Sequence, residues 1–211
     1  MAKPSRIYLY RITHIDNLDF ILESGKLICP SNPDCDSEYI GIGDATLIQS
    51  RSSKEVNIVP NGNFTDYVAF YFGARSPMLY SIQKGFNGVT QRSPETIIYL
   101  VTTFDNINEN ESQYVFSDGH GYHSMSQFFN TEDDLEEVDW DTVKLRRWND
   151  TEDDPDRKRR KQAEFLVYGE VPLSVIVGIG VYNEAAKTNI LAKFAEHDFS
   201  CNVIVKPDLY Y

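Results

Sequence analysis

Long apolar runs are missing from this 211-residue chain. No stretch approaches the ~20 residues that a bilayer helix needs. The start, Met1-Ala2-Lys3-Pro4-Ser5-Arg6, leads into a polar-interrupted segment 7–12 rather than a signal-peptide core. Neither membrane insertion nor secretion is expected, and a cytoplasmic location is. Cysteine is scarce: Cys29, Cys35 and Cys201 are odd in number and show no CxxC spacing. That suits a reducing compartment, argues against a disulfide framework, and gives no reason to assign them a metal. Phosphate-loop signatures are absent as well. Without GxxxxGK[ST] or a strand-borne GxGxxG, neither a P-loop nor a Rossmann dinucleotide site is expected. Without a GxSxG elbow, serine hydrolysis is not expected. Positive charge is in short supply, 20 Lys and Arg against 32 Asp and Glu for a net of -12. A nucleic-acid binder usually presents a basic surface instead.

What is present is a composition able to bury a core, 41% hydrophobic, 13% aromatic and 25% charged. With this length it predicts one domain over residues 1–211; a monomer is expected, though nothing in length or composition sets the oligomeric state. The acidity is local. Residues 131–156 hold 12 Asp or Glu against 3 Lys or Arg, so the remainder of the chain carries only -3. Directly after this segment comes Arg157-Lys158-Arg159-Arg160-Lys161, the strongest basic run in the chain. It reads either as a solvated face neutralising its acidic neighbour or as a track for a polyanion.

Residues 7–12 are β-branched and aromatic and predict a strand. A helix follows, capped by Thr13 or Asp16, with Ile15, Leu18 and Leu22 on one face and Gly25 at its end. Residues 29–63 hold three prolines and many Ser, Asn and Asp without a sustained period, and predict a long irregular loop. Apolar runs at 68–72, 97–101 and 165–167 predict strands buried on both faces. A further strand is expected over 175–181, with Gly178 and Gly180 marking a close approach or bulge. Asn183 caps a helix that places Ala186, Ile190, Leu191 and Phe194 on one face, and Val203-Ile204-Val205 closes the chain as a strand. Strands and helices mix without regular βαβ alternation, which predicts an α+β fold.

Several residues have the chemistry of a site. Glu164 stands at the start of an apolar strand, where burial tunes a carboxylate for proton transfer or for holding a sugar hydroxyl; the alternative is a surface pair with Arg159 or Arg160. Ser117-Asp118-Gly119-His120-Gly121-Tyr122-His123 offers a histidine in a glycine-flanked turn, suited to a proton shuttle. Asp118, His120 and His123 have metal-ligand donors, but no fourth ligand is marked by spacing, so no metal is expected. Thr13-His14 lies at a strand-to-helix junction, where free N–H groups suit an anionic ligand. Arg51, within the long loop, becomes special only if it meets a phosphate.

The ordered set Tyr10-Arg11-Ile12-Thr13-His14-Ile15-Asp16-Asn17-Leu18, Ile42-Gly43 through Arg51, Asp66-Tyr67-Val68-Ala69-Phe70-Tyr71-Phe72 with Arg75-Ser76-Pro77-Met78-Leu79, Phe116-Ser117-Asp118-Gly119-His120 and Arg160-Lys161-Gln162-Ala163-Glu164 resembles the DarT family of DNA ADP-ribosyltransferase toxins. The resemblance implies an ADP-ribosyltransferase fold, a split and curved β-core with flanking helices, PARP-like. It implies transfer of ADP-ribose from NAD to thymine in single-stranded DNA, and an accompanying macrodomain antitoxin. By the same resemblance Glu164 is the catalytic glutamate. Arg51 holds the NAD phosphates and steadies the deprotonated base, and His120 assists proton transfer. Thr13, His14, Gly43 and Tyr71 line the NAD site. Arg75, Arg92 and Lys158 are the expected DNA contacts. Ala69 and Ala74 depart from the proline of the family pattern. The long loop is expected to become ordered when NAD meets Arg51.

Overall fold

The computed structural model describes residues 3–211; Met1 and Ala2 of the expected leaderless start lie outside them. In chain order the elements are β1 (Tyr8–His14), α1 (Leu18–Ser24), β2 (Lys26–Ile28), α2 (Ala45–Ser52), β3 (Tyr67–Tyr71), α3 (Pro77–Lys84), β4 (Ile97–Thr103) and α4 (Phe104–Glu109). They continue with β5 (Tyr114–Ser117), β6 (Phe128–Phe129), α5 (Arg157–Lys161), β7 (Glu164–Tyr168), β8 (Glu170–Pro172), β9 (Gly178–Val181), α6 (Glu184–Glu196) and β10 (Val203–Val205). Among the described residues no helix is long and apolar enough to cross a membrane.

Eight strands form one sheet in the order β10-β9-β4-β1-β3-β7-β5-β6, and β2 pairs with β8 in a second, two-stranded sheet. All neighbours are antiparallel except β10 and β9. The apolar runs set this up. β4 is buried on both faces, as expected of Ile97-Ile98-Tyr99-Leu100 without alternation. The principal core joins Leu9, Phe70, Leu100 and Phe165 of four neighbouring strands with the buried faces of α1 and α6.

The large sheet has a seam. β1 pairs with β4 at seven consecutive positions, Tyr8 to His14, but with β3 only at Tyr10↔Tyr71. Beyond that point the Arg11 Nη1 donates to the Ala69 carbonyl at 3.0 Å, so a side chain spans the gap. β3 then pairs fully with β7, which sets Tyr71 opposite Glu164. The α+β architecture expected from the resemblance is present as one large, mostly antiparallel sheet with flanking helices, and its seam lies at Tyr71, with Glu164 opposite on β7.

Four local expectations are corrected. The long loop contains α2, capped by the Asp44 side chain, which accepts from the Leu47 N–H at 3.0 Å. No residue of α2 is buried, so it has no apolar period to read. The cap after β1 is neither Thr13 nor Asp16: the His14 Nδ1 accepts from the Asp16 N–H at 3.3 Å. The strand expected over 175–181 begins only at Gly178, after a 3-10 turn at Leu173–Val175. A Cβ at Gly178 would lie 2.8 Å from the Asn202 carbonyl oxygen, which is the close approach its glycine allows. In α6, Ala186, Ile190 and Phe194 are buried but Leu191 stays 47% exposed, because the seat on the sheet is narrower than the apolar stripe. The Asn183 cap is as expected, accepting from the Ala186 N–H at 2.9 Å.

Candidate active site

Glu164 opens β7 and is 1% exposed. Its Oε1 accepts from Arg51 Nη2 at 2.7 Å and its Oε2 from the Gly121 backbone N–H at 2.9 Å. Its own N–H donates to the Ser117 Oγ at 3.3 Å. The surface pair with Arg159 or Arg160 is therefore not formed; the partner is 113 residues away in sequence. Gly121 must be glycine for this to happen, since a Cβ there would stand 2.6 Å from Glu164 Oε2 and 2.7 Å from the Phe64 ring.

Arg51 reaches the carboxylate from the last turn of α2, with its guanidinium 4.7 Å from the Phe64 ring centroid. Burial works against its charge, but Glu164 and Tyr71 outweigh that and hold its pKa above the ordinary arginine value. Tyr71 is pushed upward, first by burial and then by the Glu164 charge, so it stays a neutral phenol. His120 is pushed down: burial dominates, and Arg51, His123 and Lys158 add to it against the opposing pull of Glu164. It is a neutral imidazole at pH 7, free to accept a proton.

The turn carrying His120 is held by Arg159. The Arg159 carbonyl accepts from the His120 N–H at 2.9 Å. Its guanidinium grips both oxygens of Asp156 at 2.7 and 2.8 Å, and Asp118 and Ser126 at 3.0 and 3.1 Å. Ser126 in turn donates to the His120 carbonyl at 2.8 Å. The basic run thus has divided duties. Arg157 and Arg160 pair with Asp154, Arg160 also with Asp139, and Lys161 is buried, donating to the Ala74 and Val143 carbonyls at 2.8 and 2.6 Å. The neutralising reading holds for Arg157 and Arg160, whereas Lys161 is a buried donor to the backbone. Lys158 and Arg159 both line the cleft, and Lys158, not engaged by a carboxylate there, stands 5.8 Å from the Trp148 ring centroid.

That cleft has a volume of about 510 Å³ and is lined by Arg51, Tyr71, His120 and Lys158, with Tyr80 and Trp148 among its aromatic walls. A cation beside a buried carboxylate, a neutral imidazole and stacking faces suit an anionic, ring-bearing ligand such as a dinucleotide. Gly43 is not in the lining of that cleft; a Cβ there would meet Ile48 at 3.2 Å and, at 3.5 Å, the sulfur of Met78, which does line it. Thr13 opens instead onto a separate cavity of about 160 Å³ shared with Arg11 and Tyr39. The Thr13 and Tyr39 hydroxyls are 3.2 Å apart, and Asn17 bonds both Thr13 and the Ile40 backbone, so the loop lies over this cavity. His14 is buried at the end of β1, with the Arg92 charge bearing on it.

Arg75 is differently employed. Its Nε and Nη2 donate to the Tyr210 carbonyl, and its guanidinium stands 5.2 Å from the Tyr211 ring centroid. Among the described residues no group of three or more His, Cys, Asp and Glu is arranged to hold a metal ion. Sequence reasoning missed Gly121, Phe64, Tyr39 and Trp148. Only Gly121 left a signal, as the second glycine around His120.

The family profile described as DarT, ssDNA thymidine ADP-ribosyltransferase, matches residues 10–211. A DNA ADP-ribosyl transferase of Thermus sp. (strain 2.9) is 34% identical over 210 residues, covering 99% of this chain and 98% of the relative. The structure of Thermus sp. 2.9 DarT in complex with ADP-ribosylated ssDNA superposes with a TM-score of 0.91 at 33% identity, over 100% of this chain and 99% of that one. The same protein in complex with NAD+ gives a TM-score of 0.88 at 33% identity, over 100% of both chains.

Proposed function

The chain belongs to the DarT family of ssDNA thymidine ADP-ribosyltransferases, and from that premise we propose how its cleft moves an ADP-ribosyl group onto thymine. It is an NAD-dependent DNA ADP-ribosyltransferase with the fold of that family. NAD supplies the ADP-ribosyl group, with nicotinamide as the leaving group. The observation that carries the assignment of roles is the Glu164 carboxylate, buried at the cleft and held through one oxygen by Arg51 and through the other by Gly121.

Glu164 orients the ribose next to nicotinamide and draws the proton from the thymine ring nitrogen. The Gly121 N–H keeps the carboxylate oriented when the bond to Arg51 is given up. Arg51 shields Glu164 from the cleft in the resting protein. A phosphate of NAD competes for that guanidinium, which both anchors the dinucleotide and frees the carboxylate. Arg51 then steadies the negative charge that develops on the base, the kind of preorganised electrostatic interaction that dominates many enzymes. Neutral His120 relays the proton. Tyr71 lies beside nicotinamide, Thr13, His14 and Gly43 line the remainder of the NAD site, and Lys158 takes a DNA phosphate. Arg75 and Arg92 support the strand at the margins.

The reading extends to the cell. The protein acts as a single-domain, monomeric toxin of the cytoplasm, blocks replication by marking the template, and is countered by a macrodomain antitoxin that removes the mark. The test mixes the protein with NAD and thymine-containing single strands of varied sequence, with Glu164→Gln in parallel. A product heavier by one ADP-ribose, lost in the variant and absent without thymine, is expected. NAD consumption without a DNA product would move the target to RNA or protein.

A further inference from the structure

We propose that a second, basic and aromatic groove next to the reaction cleft carries the flank of the DNA strand beyond the nucleotides engaged at Glu164. This rests on the DNA-directed reading above. The groove consists of two adjoining clefts of about 340 and 420 Å³ that share Arg6, Tyr8 and Tyr10. Arg75, Lys144 and Arg146 line the first, and Lys206 the second. Five cations thus face one groove in a chain whose net charge is -12, and Asp208 is the one carboxylate in its lining. Asp208 meets Arg146 at 3.3 Å with the two side chains 73% and 67% exposed. An exposed pair of that kind is weak and yields readily to a phosphate.

The stacking component is also present. Tyr8 and Tyr10 are two apart on β1 and so share a face, while Leu9 between them is buried in the core. Their ring centroids are 6.5 Å apart, Tyr8 is 40% exposed, and the Arg6 guanidinium stands 5.3 Å from its ring centroid. Proteins that hold single strands without reading their sequence combine these two elements, a cationic groove for the backbone and aromatic faces for the bases.

Groove and cleft are joined by side chains in contact. Lys158 overlies Trp148 in the cleft; the Trp148 Nε1 donates to the Tyr211 hydroxyl at 2.6 Å; the Tyr211 ring lies under Arg75, which lines the groove. A strand leaving the cleft past Trp148 therefore meets cations and ring faces continuously. A protein partner is the other class of polyanion that such a surface attracts, but the exposed Tyr8 ring, with Tyr10 partly buried behind it, favours DNA.

The experiment compares a thymine-bearing strand of about 5 nucleotides with strands extended on either side to about 15. It uses the native chain and the exposed triple variant Arg6→Ala, Lys144→Ala, Arg146→Ala, with melting temperatures confirming the fold. We expect extension to raise native kcat/KM about tenfold. The variant should keep its short-strand rate within about twofold and lose most of the gain. With about 0.7 counterions released per phosphate contact on a single strand, the log–log salt dependence of long-strand binding should become shallower by about 2. No gain on extension in the native chain, equal loss on short and long strands, or an undiminished gain in the variant would overturn the proposal; the last is the outcome if the groove serves a protein. Should the native chain modify no DNA yet bind the long strand with a variant-sensitive salt slope, the chemistry would fail while the groove stood. If neither occurred, both readings would fail.

Discussion

Arg51 and Arg159 both meet carboxylates close to β7, yet their surroundings differ in every respect. Arg159 is clamped by Asp156 through two bonds and by Asp118 and Ser126, and its carbonyl holds the His120 turn. Arg51 bonds one carboxylate oxygen, on Glu164, interacts with the Tyr71 side chain and lies against one ring, Phe64. It is carried by a helix none of whose residues is buried. Withdrawing Arg159 would break four bonds at once, three of them to carboxylates, whereas withdrawing Arg51 breaks one bond to a carboxylate and its contact with Tyr71. The first arginine is the more fully engaged of the two. A ligand phosphate can compete for a guanidinium bound to one carboxylate oxygen more easily than for one engaged by two carboxylates.

The sharpest way to break this comparison is at the shared carboxylate. Glu164→Gln keeps the shape and an acceptor for Arg51 but turns an amide nitrogen towards the Gly121 N–H and cannot take a proton, so transfer to single-stranded DNA should fall about 10³-fold, with a lowered melting temperature and a cooperative melt that shows the fold retained. Retained activity in a discontinuous mass assay would remove Glu164 from the chemistry. Arg51→Ala should lower kcat/KM about 10²-fold, as for loss of one electrostatic stabiliser. Arg159→Ala should cost about 3 kcal/mol of stability, because it strands partly buried carboxylates, and Arg51→Ala, which leaves Glu164 unpaired at 1% exposure, should cost at least as much. The rate loss of Arg159→Ala, about tenfold, should come through the displaced turn. Kinetics of the two variants on single-stranded DNA decide it; equal rate losses would erase the distinction.

Two smaller effects sharpen the picture. Burial holds the His120 pKa below the ordinary 6.5, so the catalytically competent neutral form persists as the pH falls through that value. Activity should stay flat through pH 6.5 and decline only below it, and the same limb should vanish in His120→Ala. A decline centred at or above 6.5 would contradict the burial argument. Last, saturating NAD should slow proteolysis between residues 29 and 63, since it draws on Arg51 at the end of α2; unchanged cleavage would sink that expectation.

The β-runs at 97–101 and 165–167, the Asn183 cap and the Gly25 terminus were legible because each follows from local chemistry. Gly25 indeed ends α1 in the left-handed region at φ 70°. What escaped notice was non-local or unpatterned. Helix α2 has no buried side to give a period, and Leu191 shares a stripe with residues that alone reach the sheet. The identities of Glu164, Arg51 and His120 came from resemblance, but their convergence is set by the β3–β7 register and the Gly121 approach. Neither is encoded in any short window. The basic run shows the limit most plainly. Five like charges are alike in sequence, and only folding sorts them into two carboxylate pairs, a clamp, a buried donor and one unclamped cleft residue.

The seam between β1 and β3 has a mechanical consequence. Seven registered pairs tie β1 to β4, and five tie β3 to β7, but across the seam the backbone contributes one pair and the Arg11 side chain one bond, with the core around Leu9 and Phe70 packed over both halves. The seam is therefore the line of fewest backbone bonds between these strands. A guest wedged beside the seam can spread the two halves by a small rocking motion about Tyr10 and Tyr71, without shearing either ladder. In deuterium oxide the amides of β1 that look across the seam should exchange well before those locked against β4, so the enzyme's compliance would be visible as a line drawn down the middle of one strand.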